Sequence, residues 1–588
     1  MELNFGVIGS PEVARKIAAA APFRLAVLGD FSAAANKGRL ETGEELARRK
    51  PMRVDVDNID QVIERLGITL SLPMGAGAVE FSVAAMDDFH PDQIYEKVEL
   101  FASMADLRRR LTSKSGFAAA AKELVAWRDA PEPATAPPVS RRPRGATVPR
   151  GGKLSDFAEL IGQPTAAPDA VEIAVDELIK SVVRPYIVKG RDPQQAAMLA
   201  SLDKALAVTM RSVLHHPDFQ ILESLWRSVD LLTRRIETSS QLQIVLYDVS
   251  AEEFAADLSV TDALEDTGLF KLLVEQPGLD ANQGGISAIT GAYVFDQTPP
   301  QAELLGRMAK LAERAQAPFI SSISPDFLET KPEDVHPLIR EAWDGLCELE
   351  AARNLALVTP RYLLRQPYGE RTDPISAFEG FEEFTAATGL KGMLWGNPAF
   401  IAALMLGQSY AKQGPKMALG AVMGAGDMPY YFYVDEDGDQ TALPCTERLM
   451  NERAAARVSA EHFIALMSIK GRPEVRLGSF TSLAGVPLAG RWMAAPQKTE
   501  PKPEAPPAPK KKGMKHAEEA PAEATTDGEA APAAAEEASA EGEATGDADL
   551  DKLLASLKDE GESPPAEAAA EGEEPEMDPE LAKLLKGM

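Results

Sequence analysis

Apolar residues recur along the first part of the chain with two alternating spacings, one typical of strands and one typical of helices. The run FRLAVLGDF, residues 23–31, is continuously apolar until it reaches a glycine turn, which predicts a buried strand. DNIDQVIERL, residues 57–66, has helical spacing, whereas AVEFSVAAM, residues 78–86, alternates apolar and polar positions as a half-buried strand does. Residues 20–128 are therefore predicted to form a compact unit of strands and helices.

A second patterned region follows, and its first half is dominated by helical spacing from residue 170 to 238. QLQIVLYDVS, residues 241–250, then predicts a strand, and Ser250 with Glu253 forms a capping box that predicts the start of the next helix. Strand and helix patterns continue to alternate to about residue 490. The fold class predicted for both regions is a mixed α/β protein with helices packed on mixed sheets.

Two stretches interrupt these patterns and predict the domain boundaries. Residues 129–153 are rich in Pro, Gly and Arg and contain no aromatic residue, so we expect a linker. Residues 493–588 also lack aromatic residues and are rich in Ala, Glu and Pro, which predicts a disordered acidic tail. The folded regions would then be residues 1–128 and 154–492.

Within the predicted tail one short pattern occurs twice. DADLDKLL at 547–554 and DPELAKLL at 578–585 share acidic, leucine and lysine positions at equal offsets. One interpretation is a repeated docking helix with acids at its N-terminus and an apolar stripe, and the other is coincidence in a low-complexity segment. The candidate docking residues are Leu550, Leu553, Leu554, Leu581, Leu584 and Leu585.

Charge and cysteine content narrow the class of protein. The net charge is −29, and residues 496–588 alone contain 24 acidic and 10 basic residues, which argues against a nucleic-acid partner. Two cysteines in 588 residues indicate a reducing compartment rather than a disulfide framework. Because no eighteen consecutive apolar residues occur, we expect a cytoplasmic protein that does not insert into a membrane.

One stretch, LHHPDFQILESLW at 214–226, raises the question of a metal or acid–base site. Such a site, or an enzyme, would have to be built on His215, His216 and Asp218. Adjacent side chains on a helix point about 100° apart and do not converge on one ion. Pro217 at a first turn, followed by an apolar stripe that includes Trp226, instead predicts the start of a buried helix. No cofactor, metal or catalytic residue is predicted.

Together these motifs resemble the contractile sheath proteins of bacterial type VI secretion systems. PFRLAVLGDFSA, RVDVDNIDQVIERLGITLSL and MDDFHPDQIYEKVELFASMADLRRRL, within residues 22–111, are similar to the small subunit, the TssB family. VLHHPDFQILESLWRSVDLL, AQAPFISSISPDF, LVTPRYLLRQPYG, FEGFEEF, LWGNPAF and LPCTERL, within residues 195–447, are similar to the large subunit, the TssC family. The chain therefore resembles a fusion of both subunits.

The resemblance assigns a group of residues to family motifs of the large subunit. These residues are His215, His216, Pro217, Phe219, Trp226, Pro318, Phe319, Pro360, Arg361, Arg365, Pro367, Tyr368, Gly369, Trp395, Gly396 and Asn397. No catalytic residue comes with the family.

The resemblance also implies a mechanical function and a set of partners. Family members form an interwoven protomer that polymerises into a helical sheath around an inner tube of Hcp and contracts to propel that tube. Other implied partners are baseplate components and the AAA+ unfoldase ClpV, whose docking helix would be either LSDFAELIG, residues 154–162, or the tail repeats. The predicted function is thus that of a structural sheath subunit.

Two departures from the family pattern leave a second function open. Only about 45 residues follow LPCTERL before the tail, and the segment around EQPGLDANQGGISAITGAYVFD lacks the usual Gly-Pro-rich pattern. A sheath-like accessory or capping protein of the same apparatus is the alternative. LNFGVIG near the N-terminus and EVRLGSFTSL at 474–483 are the candidate strands for linking neighbouring protomers through exposed strand edges.

Overall fold

A computed structural model of the chain describes residues 3–9, 21–74, 77–129, 175–187, 195–279, 284–385, 389–434 and 440–492. All of these residues belong to one compact unit, Met1–Lys498. Both the predicted linker core and the predicted tail lie outside the described residues, as do the six candidate docking leucines and residues 154–162.

The described part of the chain contains fifteen strands. They are β1 (Phe23–Gly29), β2 (Met52–Val54), β3 (Ile68–Met74), β4 (Gly77–Val83), β5 (Leu242–Asp248), β6 (Ala288–Phe295), β7 (Phe319–Ile323), β8 (Leu355–Thr359), β9 (Tyr362–Leu363), β10 (Trp395–Gly396), β11 (Gly424–Ala425), β12 (Tyr431–Val434), β13 (Gln440–Leu443), β14 (Ile464–Ser468) and β15 (Val475–Leu477).

Fifteen α-helical segments accompany these strands in the described ranges. They are α1 (Gly43–Ala47), α2 (Ile59–Leu66), α3 (Pro91–Lys97), α4 (Glu99–Thr112), α5 (Phe117–Asp129), α6 (Val175–Val183), α7 (Gln195–Leu214), α8 (Pro217–Arg235), α9 (Ala251–Ser259), α10 (Gly268–Phe270), α11 (Gln276–Leu279), α12 (Pro299–Ala315), α13 (Pro337–Glu348), α14 (Ala399–Gln413) and α15 (Glu452–Ala460). None of them combines the length and apolar character needed to cross a bilayer.

Nine strands form the main sheet, in the order β11-β15-β14-β8-β7-β6-β1-β5-β2. The six strands from β14 to β5 are parallel to their neighbours, and antiparallel strands close the sheet at both ends. Parallel strands buried on both faces favour continuous apolar runs, and every residue of β1 is buried. Smaller antiparallel pairs join β3 to β4, β9 to β10 and β12 to β13.

Two hydrophobic cores lie on opposite faces of this sheet, because successive side chains of a strand point to opposite sides. On β1, Leu25 and Val27 face the core that contains α14, α8 and the helices α2 to α5. Ala26 and Leu28 face the other core, which contains α9, α12 and α13. The sheet is therefore covered by helices on both faces, as the predicted fold class requires.

Strand β1 shows how the two predicted regions share one fold. It comes from the first region but pairs with β5 on one side and β6 on the other, both from the second region. The prediction of an interwoven mixed α/β protomer is therefore confirmed. A sheet that contains strands from both regions also explains why FRLAVLGDF is apolar at nearly every position.

The two candidate linking segments are both engaged within the chain. At the N-terminus Val7 bridges Ala263, while Arg307 donates to the Asn4 carbonyl at 3.0 Å and Lys310 donates to the Gly6 carbonyl at 2.6 Å. In the second segment β15 is paired on one side with β14 and on the other with β11. The expected free edge of this strand is therefore absent, because both edges are hydrogen-bonded within the protomer.

Candidate functional site: a buried ion-pair cluster

Helix α8 begins at Pro217, as the sequence predicts, and the structure adds a histidine cap before it. Nδ1 of His216 accepts a hydrogen bond from the Asp218 amide at 3.3 Å, and Pro217 occupies the first helical position. His90 before α3 and His336 before α13 cap their helices in the same way, each followed by proline. An Nδ1 acceptor satisfies one of the amides that a helix start leaves without an intrahelical partner.

The buried face of α8 is the surface on which the first region packs. Phe219 lies 5.6 Å from Phe81 and 5.8 Å from Phe89, measured between ring centroids. Trp226 is completely buried, contacts Phe31 edge-on at 5.2 Å and donates its indole N–H to the Phe31 carbonyl at 3.3 Å. The predicted amphipathic helix is confirmed, and its apolar stripe joins the two regions.

Beside this stripe, α8 contributes to a buried ion-pair cluster. It is here called the Arg365 cluster and is made of Glu223, Arg227, Arg365, Tyr368 and Glu383. Nε of Arg365 donates to Glu223 at 2.8 Å, and its Nη1 donates to Glu383 at 2.7 Å. Nε of Arg227 donates to Glu223 at 2.7 Å, and its Nη2 donates to the Tyr368 hydroxyl at 2.9 Å. The Arg365 guanidinium also lies over the Tyr368 ring, 4.1 Å from its centroid.

Charge balance within the Arg365 cluster fixes its protonation. Burial by itself would raise the pKa of Glu383, but the adjacent Arg365 guanidinium and a hydrogen bond from the Tyr368 amide lower that pKa to about 2. Burial would lower the pKa of Arg365, and the two carboxylates instead hold it well above its ordinary value. Glu383 and Arg365 therefore stay charged together although both are buried.

The cluster joins three segments that are distant in sequence: α8, the loop after β9 and the loop around Glu383. The first region reaches it through His90, whose ring lies 4.9 Å from that of Tyr368. Asp92 adds a second contact, because its carboxylate accepts the Ser376 and Ala377 amides at 2.8–3.0 Å. The family motifs of the second region thus converge where the first region binds.

The remaining motif residues of the loop before Tyr368 have structural roles around this cluster. The Thr359–Pro360 peptide is cis, and Arg361 donates to Glu447 at 2.8 Å on the surface. Pro367 accepts a hydrogen bond from Thr372 at 2.5 Å. A side chain at Gly369 would meet the carboxylate of Glu382, which would have to move to make room for it.

The motif residues on the other strands also serve packing. The Pro318 carbonyl accepts the Ile289 amide at 2.8 Å, and Phe319 stacks on Phe254 at 5.8 Å. Asn397 donates to the Tyr293 carbonyl at 2.8 Å. The Trp395 indole donates to the Leu390 carbonyl at 2.9 Å, and the Tyr362 ring leaves no space for a side chain at Gly396.

A second buried cluster, which the sequence patterns did not predict, lies at the seam where the two regions meet. It is here called the Arg49 cluster and is made of Asp30, Glu41, Arg49, Asp248 and Glu253. Arg49 donates to both Glu253 oxygens at 2.5 and 2.8 Å, and to Glu41 at 2.8 Å. Asp30 accepts the amides of Ala34 and Ala35 at 2.6 and 3.0 Å. The capping box of Ser250 and Glu253 was the one sequence signal that pointed here, and it is confirmed.

The histidines and acids of LHHPDFQILESLW, residues 214–226, do not converge on one point. His215 Nε2 lies 3.7 Å from Glu383, whereas Asp218 accepts a hydrogen bond from Asn36 at 2.8 Å. Within the described ranges no three His, Cys, Asp or Glu side chains are arranged as metal ligands. Burial raises the pKa of the Cys347 thiol to about 11, where it is a poor nucleophile.

Comparisons with known proteins match both regions of the chain. Residues 196–484 match VipB, described as an EvpB tail sheath N-terminal domain, and residues 14–124 match VipA of type VI secretion systems. The chain is also similar to the type VI secretion system sheath protein TssC1 of Pseudomonas aeruginosa. The two are 30% identical over 341 residues, which cover 54% of this chain and 68% of that protein.

Proposed function

The chain belongs to the type VI secretion sheath proteins as a fusion of a TssB-like and a TssC-like region, and we propose that it polymerises into a contractile sheath. Each fused chain would supply one complete protomer. The polymer would surround an Hcp-like inner tube in the bacterial cytoplasm. Baseplate components would bind its end, and a ClpV-type AAA+ unfoldase would dismantle it after contraction.

The position of β1 is the observation that supports this proposal most directly. Because β1 is hydrogen-bonded on both edges by strands of the TssC-like region, the TssB-like region cannot leave the protomer without breaking the main sheet. A mechanical subunit must transmit force through its fold without coming apart. Strand pairing on both sides, together with the buried stripe of α8, meets that requirement.

Contraction in this proposal needs no bound nucleotide and no catalytic residue. The extended sheath would be a metastable packing of rigid protomers, and rearrangement of the contacts between them would release it. The Arg365 cluster and the Arg49 cluster would serve rigidity within each protomer. The interfaces between protomers would then be the part that changes.

Negative-stain electron microscopy of the purified chain, alone and with an Hcp-like tube protein, tests the proposal. We expect tubules or cogwheel-shaped rings, with more or longer tubules when the tube protein is present. Small discrete particles under every condition would contradict the sheath function and favour the accessory or capping alternative. The Trp226→Ala variant is a control, because it removes contacts between the two regions and should reduce assembly.

A further inference from the structure

The predicted linker contains a strongly basic stretch in an otherwise acidic chain. Residues 137–153, PPVSRRPRGATVPRGGK, contain five basic residues, four prolines and no acid, whereas the whole chain has a net charge of −29. Prolines favour the extended polyproline conformation, which aromatic-lined grooves recognise. The stretch therefore has the chemistry of a ligand for an acidic, aromatic groove.

A groove of that kind lies beside the Arg365 cluster. It has a volume of about 550 Å³, and its lining includes Asp373, Asp427, Pro429, Tyr430 and Pro473. Within the described part of the chain, neither aspartate has a cation within ion-pair distance, and both are exposed. Arg365 also lines this groove, but its charge is already balanced by buried carboxylates.

An exposed aromatic ledge borders the groove. On β12, Tyr431 and Tyr433 pack against Phe384 at 5.3 and 5.5 Å, and Phe432 on the other side of the strand is 56% exposed. Phe432 meets the Tyr430 ring edge-on at 5.0 Å. Tyrosine and phenylalanine faces bind both proline rings and arginine guanidinium groups. The half-buried Tyr430 and the exposed Phe432 therefore offer such faces beside the groove.

We propose that residues 137–153 dock into this groove in the same chain, with arginines beside Asp373 and Asp427 and prolines on the Tyr430–Phe432 ledge. The walls of the groove are rigid, because Gln366 donates to the Tyr430 carbonyl at 2.6 Å and Arg235 donates to the Asp427 carbonyl at 2.6 Å. Docking would hold the linker that joins the two regions against the surface of the protomer.

Chain length and position favour an intramolecular ligand. Residues 130–174 separate α5 from α6, and each extended residue spans roughly 3.3 Å, so a loop of this length reaches tens of ångströms in either direction. The loop that contains Asp373 packs on α3 of the region that precedes the linker, as the contact of Tyr95 with Phe378 at 5.7 Å shows. Tethering also raises the effective concentration of a weak ligand.

Limited trypsin digestion of the purified full chain tests the docking, because trypsin cleaves after Arg144 and Arg150 only when they are free. We expect the Asp373→Asn/Asp427→Asn variant to be cut at these sites about fivefold faster than the wild type, the effect of losing two exposed ion pairs. Asparagine suits position 427, whose φ is +51°. Asp344→Asn/Glu348→Gln, at a different acidic groove on α13, is the matched control and should be cut at the wild-type rate.

Equal cleavage of the wild type and both variants would overturn the proposal, provided that their thermal unfolding midpoints agree. A photo-crosslinking residue in place of Phe432 gives a second measurement in an otherwise unchanged chain. Crosslinks from position 432 to residues 137–153 within single chains would support the proposal. Crosslinks only between two chains, to another segment, or to none would overturn docking in the same chain.

Discussion

The Arg365 cluster and the Arg49 cluster both bury carboxylates, but they balance charge differently. In the Arg365 cluster, Glu223 and Glu383 face two arginines, so each carboxylate has a cation at hydrogen-bond distance. In the Arg49 cluster, the one arginine pairs with the carboxylates of Glu41 and Glu253, and Asp30 receives only backbone amides. The first cluster lies within the TssC-like region, whereas the second joins the two regions.

This difference shows in the pKa of one buried acid from each cluster. Burial and, next to it, the nearby charge of Asp248 raise the pKa of Asp30 to about 8, against the two amides that lower it. The pKa of Glu383 is about 2 because Arg365 outweighs burial. A buried acid thus stays charged where an arginine contacts it directly, and it takes up a proton where only amides do.

Replacement of Arg365 should lower the free energy of unfolding most. Arg365→Met leaves Glu223 and Glu383 buried with fewer cations, and we expect the free energy of unfolding to fall by about 3–5 kcal/mol. Urea unfolding followed by circular dichroism measures the loss. Arg361→Met is the matched control from the same motif, because its side chain is 46% exposed and its ion pair with Glu447 lies on the surface. An equal loss in both variants would contradict the special role of the cluster.

Replacement of Arg49, where the two regions meet, should lower the free energy of unfolding by a smaller amount. Arg49→Met removes the cation of Glu253 and Glu41, but Glu253 keeps its hydrogen bonds from the Ser250 and Glu41 amides. We expect a loss of about 2–3 kcal/mol in the free energy of unfolding. A larger loss than that of Arg365→Met would contradict the expectation that the Arg365 cluster contributes more to stability than the Arg49 cluster.

The pH dependence of stability should come from the Arg49 cluster and not from the Arg365 cluster. Folded Asp30 keeps its proton up to about pH 8, whereas the unfolded chain releases it near the ordinary value of 3.8, so stability falls as the pH rises between these values. The contribution is at most about 1.4 kcal/mol for each pH unit. Asp30→Asn should therefore flatten the decrease in unfolding free energy between pH 5.5 and 7.5, a window chosen to lie inside roughly 4–8.

Glu383→Gln supplies the comparison for that experiment. Because the pKa of Glu383 lies near 2 in the folded chain and its ordinary value is 4.5, it loses stability only as the pH falls below that ordinary value. The slope over the same window should therefore match that of the wild type. If Asp30→Asn keeps the wild-type slope, Asp30 is already ionised in the folded protein.

Much of the fold could be predicted from local patterns of apolar and polar residues in the sequence. The strand at FRLAVLGDF, the alternating strand β4 and the proline-started helix α8 form as predicted, because burial on one or both faces determines their spacing. The capping box of Ser250 was predictable for the same reason, since its two hydrogen bonds depend on residues three positions apart. Pairing of β1 with strands more than 200 residues away was predicted only through the family resemblance.

The polar clusters were harder to predict. Arg365 and Tyr368 were singled out as motif residues, but Glu223 and Glu383 were not, because a single acid in a helix or loop carries no local sign of burial. The spacing of Glu223 and Arg227, four residues apart on α8, was the available signal. Arg49 has no such signal, because its partner Glu253 comes from the other region, and the charge of Asp248 that acts on Asp30 comes from that region too.

The place of β1 in the sheet also affects how the chain can fold while it is being translated. Residues 23–29 leave the ribosome first, but their partners in β5 and β6 follow only after roughly 200–270 further residues, which takes on the order of 10–50 s at usual translation rates. During that time the nascent chain holds an apolar strand with two unpaired edges, the kind of segment that pairs with copies of itself. A single gene thus gives equal amounts of both regions, but β1 stays unpaired until its partner strands β5 and β6 have been synthesised.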